Sequence, residues 1–147
     1  MPEQMISALS RAFFDTKMVT SRLILAASEF MWGALLLWPG DTFGRPTYAL
    51  MAEVMPEECW GFVFLMTSAM QVTIIVREDF YSREARYFAF YNAWLWVWVV
   101  YSMLRSVTPP PAAISGEIVL AFAASWIWFR PFLMCKWILN ARATIKV

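Results

Sequence analysis

Four polar residues interrupt long apolar stretches of the chain: Glu29, Gln71, Asn92 and Ser125. Polar residues within a membrane are costly, and such positions often mark functional sites. With a helical rise of about 1.5 Å per residue, each lies about 7 to 10 Å from the arginine at the cytoplasmic end of its stretch. The spacing therefore predicts a polar layer at one depth, in the inner third of a bilayer.

Several roles remain open for this predicted polar layer. Its members could form interhelical hydrogen bonds that fix helix register. Alternatively, Glu29 could be the titrating group of an ion or proton pathway, with Arg22 two turns away on the same helical face as its partner. Contacts between chains are a third possibility.

Small residues share the helical stripes that carry these polar groups. Ala26 and Gly33 fall on the stripe of Glu29, whereas Gly61 and Ser68 fall on the stripe of Gln71. Small side chains allow two helix backbones to approach closely. We therefore predict that Ala26, Gly33, Gly61 and Ser68 are helix-packing positions.

The residue inventory argues against an enzyme. The chain has no histidine and only two cysteines, Cys59 and Cys135, which the topology below places at opposite membrane faces. Histidine-based acid–base catalysis, Cys–His nucleophiles and zinc sites are therefore nearly excluded. We expect no catalytic residue, metal, cofactor, disulfide or nucleic-acid partner.

The elements that must position these residues are apolar helices. Hydrophobic residues make up 61% of the 147-residue chain, against roughly 45–50% in soluble domains. Continuous apolar runs of this length are typical of membrane-spanning helices. We predict an all-α, integral membrane four-helix bundle as a single domain, with spans at residues 22–38, 59–76, 87–104 and 117–135.

The connecting segments differ in kind. Residues 1–21 predict an interfacial amphipathic helix, and residues 39–58 predict an outer loop with a short interfacial helix. Residues 77–86 form a cytoplasmic loop, and residues 105–116 form an outer loop that contains three consecutive prolines. Residues 136–147 are predicted to be a cytoplasmic tail that lies in the inner interface.

Basic residues predict the orientation of the spans. The side that holds both termini collects ten of the twelve, and the other side holds Arg45 and Arg105. Basic residues are retained in the cytoplasm, so both termini should lie there. The ten are Arg11, Lys17, Arg22, Arg77, Arg83, Arg86, Arg130, Lys136, Arg142 and Lys146. Of these, Arg22, Arg77, Arg83, Arg86, Arg130 and Lys136 should border the inner face.

Two segments carry a resemblance. The stretch Leu35–Tyr48, LLLWPGDTFGRPTY, and the stretch Met55–Trp60, MPEECW, resemble segments of small uncharacterised membrane proteins encoded by tailed bacteriophages. The resemblance covers the first span, the outer loop and the start of the second span, about a third of the chain, and brings no known active residue. It implies a phage protein in the host inner membrane.

These observations favour a non-enzymatic membrane effector, either holin-like or a superinfection-exclusion protein. A small ion or proton channel or transporter subunit that uses Glu29 is one alternative. A structural or assembly membrane protein is another. The expected partners are the lipid bilayer and either further copies of the chain or another membrane protein.

Overall fold

The computed structural model describes residues 2–80, 82–107 and 114–144, with the side chains of residues 18–80, 82–107 and 114–130. Within these ranges the protein is all-α, as predicted. The helices are α1 (Pro2–Leu37), a 3₁₀ turn (Pro46–Tyr48), α2 (Ala49–Val54), α3 (Glu57–Val76), α4 (Arg83–Ser106) and α5 (Ile114–Thr144).

The first and last helices are longer than predicted. No break separates residues 1–21 from residues 22–38, because α1 is continuous from Pro2 to Leu37. Between these ends the sequence contains one glycine and no proline, so nothing interrupts the backbone hydrogen bonds. Similarly, α5 continues across Pro131 as far as Thr144, so the predicted fourth span and the predicted C-terminal interfacial segment are parts of one helix. The consecutive prolines of the outer loop lie outside the described residues.

The long helices pack mainly in pairs, α1 with α3 and α4 with α5. Two glycines mark the crossing of α1 and α3. A Cβ atom at Gly33 would lie 2.9 Å from the carbonyl oxygen of Gly61 and 2.7 Å from Leu65 Cγ. A Cβ atom at Gly61 would in turn lie 2.7 Å from Leu37 Cγ. The backbones therefore approach more closely than any larger residue would permit.

The connection between α3 and α4 is short and hydrogen-bonded. After α3, the amide of Asp79 donates to the carbonyl of Ile74 at 3.2 Å, and Glu78 has a φ of 54°. These are features of a Schellman helix ending, here without the usual glycine. Ser82 then caps α4, because its hydroxyl accepts from the amide of Ala85 at 3.0 Å. The two helices are thereby joined by residues 77–82.

The connection between α1 and α3 is also held by carboxylates. Both carboxylate oxygens of Glu57 accept backbone amides, from Thr42 at 3.3 Å and from Phe43 at 3.1 Å. Asp41 accepts the amide of Gly44 at 2.6 Å, and a Cβ atom at Gly44 would overlap the Asp41 side chain. These bonds give the turn after α1 a defined shape.

The short helix of this connection packs against the bundle. Met51 is fully buried, and its carbonyl accepts the indole N–H of Trp60 at 3.0 Å. The amide of Leu50 donates to the Ser106 hydroxyl at 3.4 Å, at the end of α4. The segment from Pro46 to Val54 therefore covers one end of the bundle, in contact with α3 and α4.

The outward faces of the bundle are apolar. Large hydrophobic side chains that are more than half exposed occur on every long helix, among them Leu35, Phe62, Trp94 and Phe122. Within the described residues, two segments are long and apolar enough to cross a membrane, Met18–Leu37 and Glu57–Val76.

The glycine crossing predicts the effect of one added methyl group. We expect Gly33→Ala to lower the free energy of unfolding by about 1–3 kcal/mol, because the backbone of α3 must move away. Denaturant unfolding of the detergent-solubilised protein measures the change. Gly116→Ala is the matched control, since no described residue lies within 4 Å of a Cβ atom there. Equal effects of the two substitutions would contradict the close approach of α1 and α3.

Candidate functional site

The interior of the bundle contains polar side chains on facing helix stripes. On α1, the predicted stripe of Arg22, Ala26, Glu29, Gly33 and Leu36 is buried at every position. Each member follows the previous one by three or four residues, which is one face of an α-helix. The polar members of the α3 and α4 faces are Thr67, Ser68, Gln71, Asn92 and Ser102.

Two hydrogen bonds join α1 to α3. The Arg22 guanidinium donates from Nη1 to Gln71 Oε1 at 2.7 Å, and both side chains are 1% exposed. The Ser68 hydroxyl donates to the backbone carbonyl of Ala26 at 2.8 Å. The second bond requires small residues on both helices, because the donor is short and the acceptor is main chain. All four predicted packing positions thus lie at the α1–α3 contact.

Two further hydrogen bonds join α1 to α4. Glu29 Oε1 accepts from the Asn92 amide nitrogen and, at 3.3 Å, from the indole N–H of Trp96. Glu29 and Asn92 are both 0% exposed. We name the set formed by Arg22, Glu29, Ser68, Gln71, Asn92 and Trp96 the buried polar cluster. It connects α1 with both α3 and α4.

Hydrogen bonding in the buried polar cluster is incomplete. Arg22 Nε, Glu29 Oε2 and Asn92 Oδ1 are buried without a partner. Arg22 is close enough to Glu29 to attract it, yet its guanidinium donates to Gln71 instead. A buried polar atom without a partner is costly, so each of these atoms could form a stabilising hydrogen bond with a bound ligand.

Aromatic rings close the cluster on the side that faces the covering segment from Pro46 to Val54. Trp32, Phe64 and Trp96 lie with ring centroids 5.6 to 6.4 Å apart. Trp60 and Tyr48 extend this layer at 6.4 Å from Phe64 and 5.9 Å from Trp32, respectively. Water is therefore excluded from the cluster on that side.

Tyr48 stays uncharged at the edge of this aromatic layer. Burial, followed by the nearby carboxylate of Glu117, raises the pKa of the Tyr48 phenol, against a smaller lowering by Arg45. At neutral pH the Tyr48 ring therefore packs against the aromatic layer as an uncharged side chain.

The structure brings together three of the four residues of the predicted polar layer. Glu29, Gln71 and Asn92 meet through Arg22 and through direct bonds, whereas Ser125 does not join them. The buried face of α5 includes Ala121, Ala124 and Ile127, and Ser125 lies beside that face, only partly buried.

The inner-face basic residues divide into two groups. Arg77, Arg83 and Arg86 are exposed around the connection between α3 and α4. Arg22 and Arg130 are instead buried within the bundle, at 1% and 3% exposure. A count of charges by side does not reveal which arginines find partners inside the bundle. The Lys136 side chain lies outside those described.

Trp96 was not predicted as part of the site. It lies four residues after Asn92, on the same face of α4, and its N–H reaches the same carboxylate oxygen. The spacing alone could have indicated it, because residues four apart share a helical face. It was missed because its large apolar ring led to its being counted with the hydrophobic residues of the span.

The chemistry that the cluster offers is hydrogen bonding, together with one titratable carboxyl group. Within the described residues, no group of three or more His, Cys, Asp or Glu side chains could hold a metal ion. The polar groups of the cluster are one carboxyl group, two amides, one hydroxyl, one indole N–H and one guanidinium. Cys59 is a free, exposed thiol remote from this set in sequence.

The Arg22–Gln71 bond predicts a compensating pair of substitutions. Gln71→Leu should lower the free energy of unfolding by about 1–3 kcal/mol, because it leaves a buried guanidinium without its acceptor. Adding Arg22→Met should restore part of the loss, since neither partner then needs a hydrogen bond. Denaturant unfolding in detergent measures both variants.

A control on the same helix distinguishes this bond from a general effect of lost polarity. The Thr73 hydroxyl donates to Ala69 within α3 at 2.8 Å, so Thr73→Val should change stability by less than about 0.5 kcal/mol. If the double variant loses as much as the two single variants added together, the bond is not a specific contact.

Comparison with models of protein families, with curated proteins and with solved structures finds no match to this chain. What the buried polar cluster can do follows from its own geometry.

Proposed function

We propose that this chain is an integral membrane protein that crosses the bilayer four times, through α1, α3, α4 and α5. We further propose that it is a non-enzymatic membrane effector of bacteriophage type, either holin-like or a superinfection-exclusion protein. The observation that carries the membrane assignment is the distribution of side chains. The buried faces of the long helices include amide and charged groups beside apolar ones, whereas their outward faces expose large aromatic and aliphatic groups.

This distribution is the reverse of that in a soluble helical bundle, whose helices turn a polar face outward. Only 33% of the Met18–Leu37 segment and 39% of the Glu57–Val76 segment are buried inside the protein. A core helix of a soluble protein of this length would be mostly covered. The uncovered apolar faces need hydrocarbon as their surroundings.

The other two long helices support four spans rather than two. The 24 residues of α4 correspond to a length of about 36 Å, enough for the hydrocarbon core of a bilayer. Its outward face carries Trp94, Val97 and Tyr101, and that of α5 carries Phe122 and Phe129, all more than 45% exposed. Tryptophan and tyrosine are typical of membrane interfaces.

The exposed basic residues support an orientation with both termini in the cytoplasm. Arg77, Arg83 and Arg86 surround one connection, whereas the opposite end of the bundle has Arg45 and Arg105. Arginine and lysine favour the cytoplasmic side. For a bacterial host, the proposed location is accordingly the inner membrane.

The effector role is supported by small size, by the absence of an obvious reaction centre in the described residues and by the resemblance to phage membrane proteins. The resembling segments include the end of α1, the residues Pro46–Tyr48 of the covering segment and the start of α3. These are also the elements around the glycine crossing and the aromatic layer.

Inducible expression in bacteria tests the effector role. A holin-like protein should cause abrupt loss of membrane potential at a set time after induction. A superinfection-exclusion protein should leave the cells viable but resistant to phage infection. Gly116→Ala should reproduce the wild-type result and Gly33→Ala should weaken it at equal expression. Viable, phage-sensitive cells would contradict both versions and favour a structural or assembly role.

A second candidate is an ion or proton pathway that uses Glu29. The observation in its favour is a fully buried carboxyl group with one oxygen unpaired. Against it, the polar residues form one thin layer, closed on one side by aromatic rings. No polar path therefore continues across the bundle within the described residues.

Proteoliposome flux tests this second candidate. If Glu29 carries the pathway, Glu29→Gln should abolish proton or ion flux, because the amide cannot exchange a proton. Glu117→Gln, at the other end of the bundle, is the control and should leave the flux intact. Wild-type flux in the Glu29→Gln variant would eliminate a titrating role in transport.

A further inference from the structure

The acceptors of the α1–α4 contact outnumber its donors. Asn92 donates from Nδ2 to Glu29 Oε1, which leaves Glu29 Oε2 and Asn92 Oδ1 as buried acceptors without donors. They are the second polar atoms of two planar groups that already share one hydrogen bond. One additional hydrogen between them would satisfy both.

We propose that Glu29 is a proton-binding site, in which Oε2 carries the proton and donates a hydrogen bond to Asn92 Oδ1. The carboxyl and amide groups then form a reciprocal pair with two hydrogen bonds. A protonated carboxyl group has one O–H donor, so no other ligand is required. This assignment holds whichever of the roles proposed above is correct.

The side chains of Thr67 and Gln71 lie close to the Glu29 carboxyl group, but no described group donates a hydrogen bond to Oε2. On its own helix, Arg22 donates from Nη1 to Gln71, and its unpaired Nε does not reach Oε2. On α3, the hydroxyl of Thr67 donates to the carbonyl of Phe64 at 2.9 Å. On α4, the Trp96 indole donates to Oε1, not to Oε2.

The charged and titratable groups near Glu29 favour a proton over a metal cation as the bound species. Arg22 on α1 is a cation that attracts the Glu29 carboxylate, and Tyr91 on α4 is a titratable group that interacts electrostatically with Glu29. Among the described side chains, the buried charged residue of α5 is Arg130, and the buried polar residues of α3 are uncharged. A bound metal cation would be repelled by Arg22 and would need several more oxygen ligands than the two available. A proton needs only these two.

Infrared spectroscopy of the purified full-length protein in detergent tests the proposal. We expect a C=O band of a protonated carboxylic acid at neutral pH. The band should vanish in Glu29→Gln and persist in Glu117→Gln, which removes a partly buried carboxyl group at the other end of the bundle. In Asn92→Leu it should shift, because the hydrogen-bonded amide is gone. Carboxylate bands alone, or a protonated-acid band unchanged by Glu29→Gln, would overturn the proposal.

Unfolding equilibria give a second readout. Glutamine at position 29 can form the same two bonds with Asn92, so Glu29→Gln should change the folding equilibrium by less than about twofold. Glu29→Leu leaves both polar atoms of Asn92 without a hydrogen-bond partner, and it should lower the equilibrium constant for folding roughly 5- to 150-fold. Equal losses in the two variants would overturn the proposal. So would a dependence of stability on Na⁺ at constant ionic strength, because it would indicate a bound cation.

Discussion

The hydrogen bonds that Glu29 accepts from Asn92 and Trp96 are the interactions on which the rest of the structure depends. They join α1, the partner of α3, to α4, the partner of α5. In the proposed membrane setting, hydrocarbon offers no alternative partner to these groups once the helices separate. The same atoms therefore specify which faces meet and at what height along the helix axes.

The remaining packing makes that contact possible. The Gly33–Gly61 crossing brings α1 and α3 close enough for Ser68 to reach a backbone carbonyl of α1. Above it, the rings of Trp32, Phe64 and Trp96 fill the space between α1, α3 and α4 and keep water from the carboxyl group. The covering segment then closes this end of the bundle through the Trp60–Met51 bond.

Sequence reasoning succeeded where helical periodicity decides. The all-α class follows from continuous apolar runs, and the meeting of Glu29, Gln71 and Asn92 follows from their similar distance to the flanking arginines. It failed where tertiary contacts decide. Ser125 has a similar spacing from its arginine but a different angular position, because α5 turns Ala121, Ala124 and Ile127 inward.

The arginines and the helix ends show the same limit. Charge counting listed Arg22 among the inner-face basic residues, but it could not show that Gln71 provides an acceptor that allows it to be buried. Likewise, residues 1–21 were predicted as an interfacial helix separate from the first span, although no breaker is present and α1 continues. Composition reports the surroundings of a segment, whereas backbone continuity depends on glycine, proline and capping residues.

The central claim is that all four long helices cross the membrane, and a topology reporter tests it most directly. A periplasm-active reporter inserted after Val107, between α4 and α5, should be active, while the same reporter at either terminus or after Asp79 should be inactive. If only α1 and α3 span the bilayer, the reporter after Val107 will share the cytoplasmic side with the C-terminus and remain inactive. That result would contradict the four-span account.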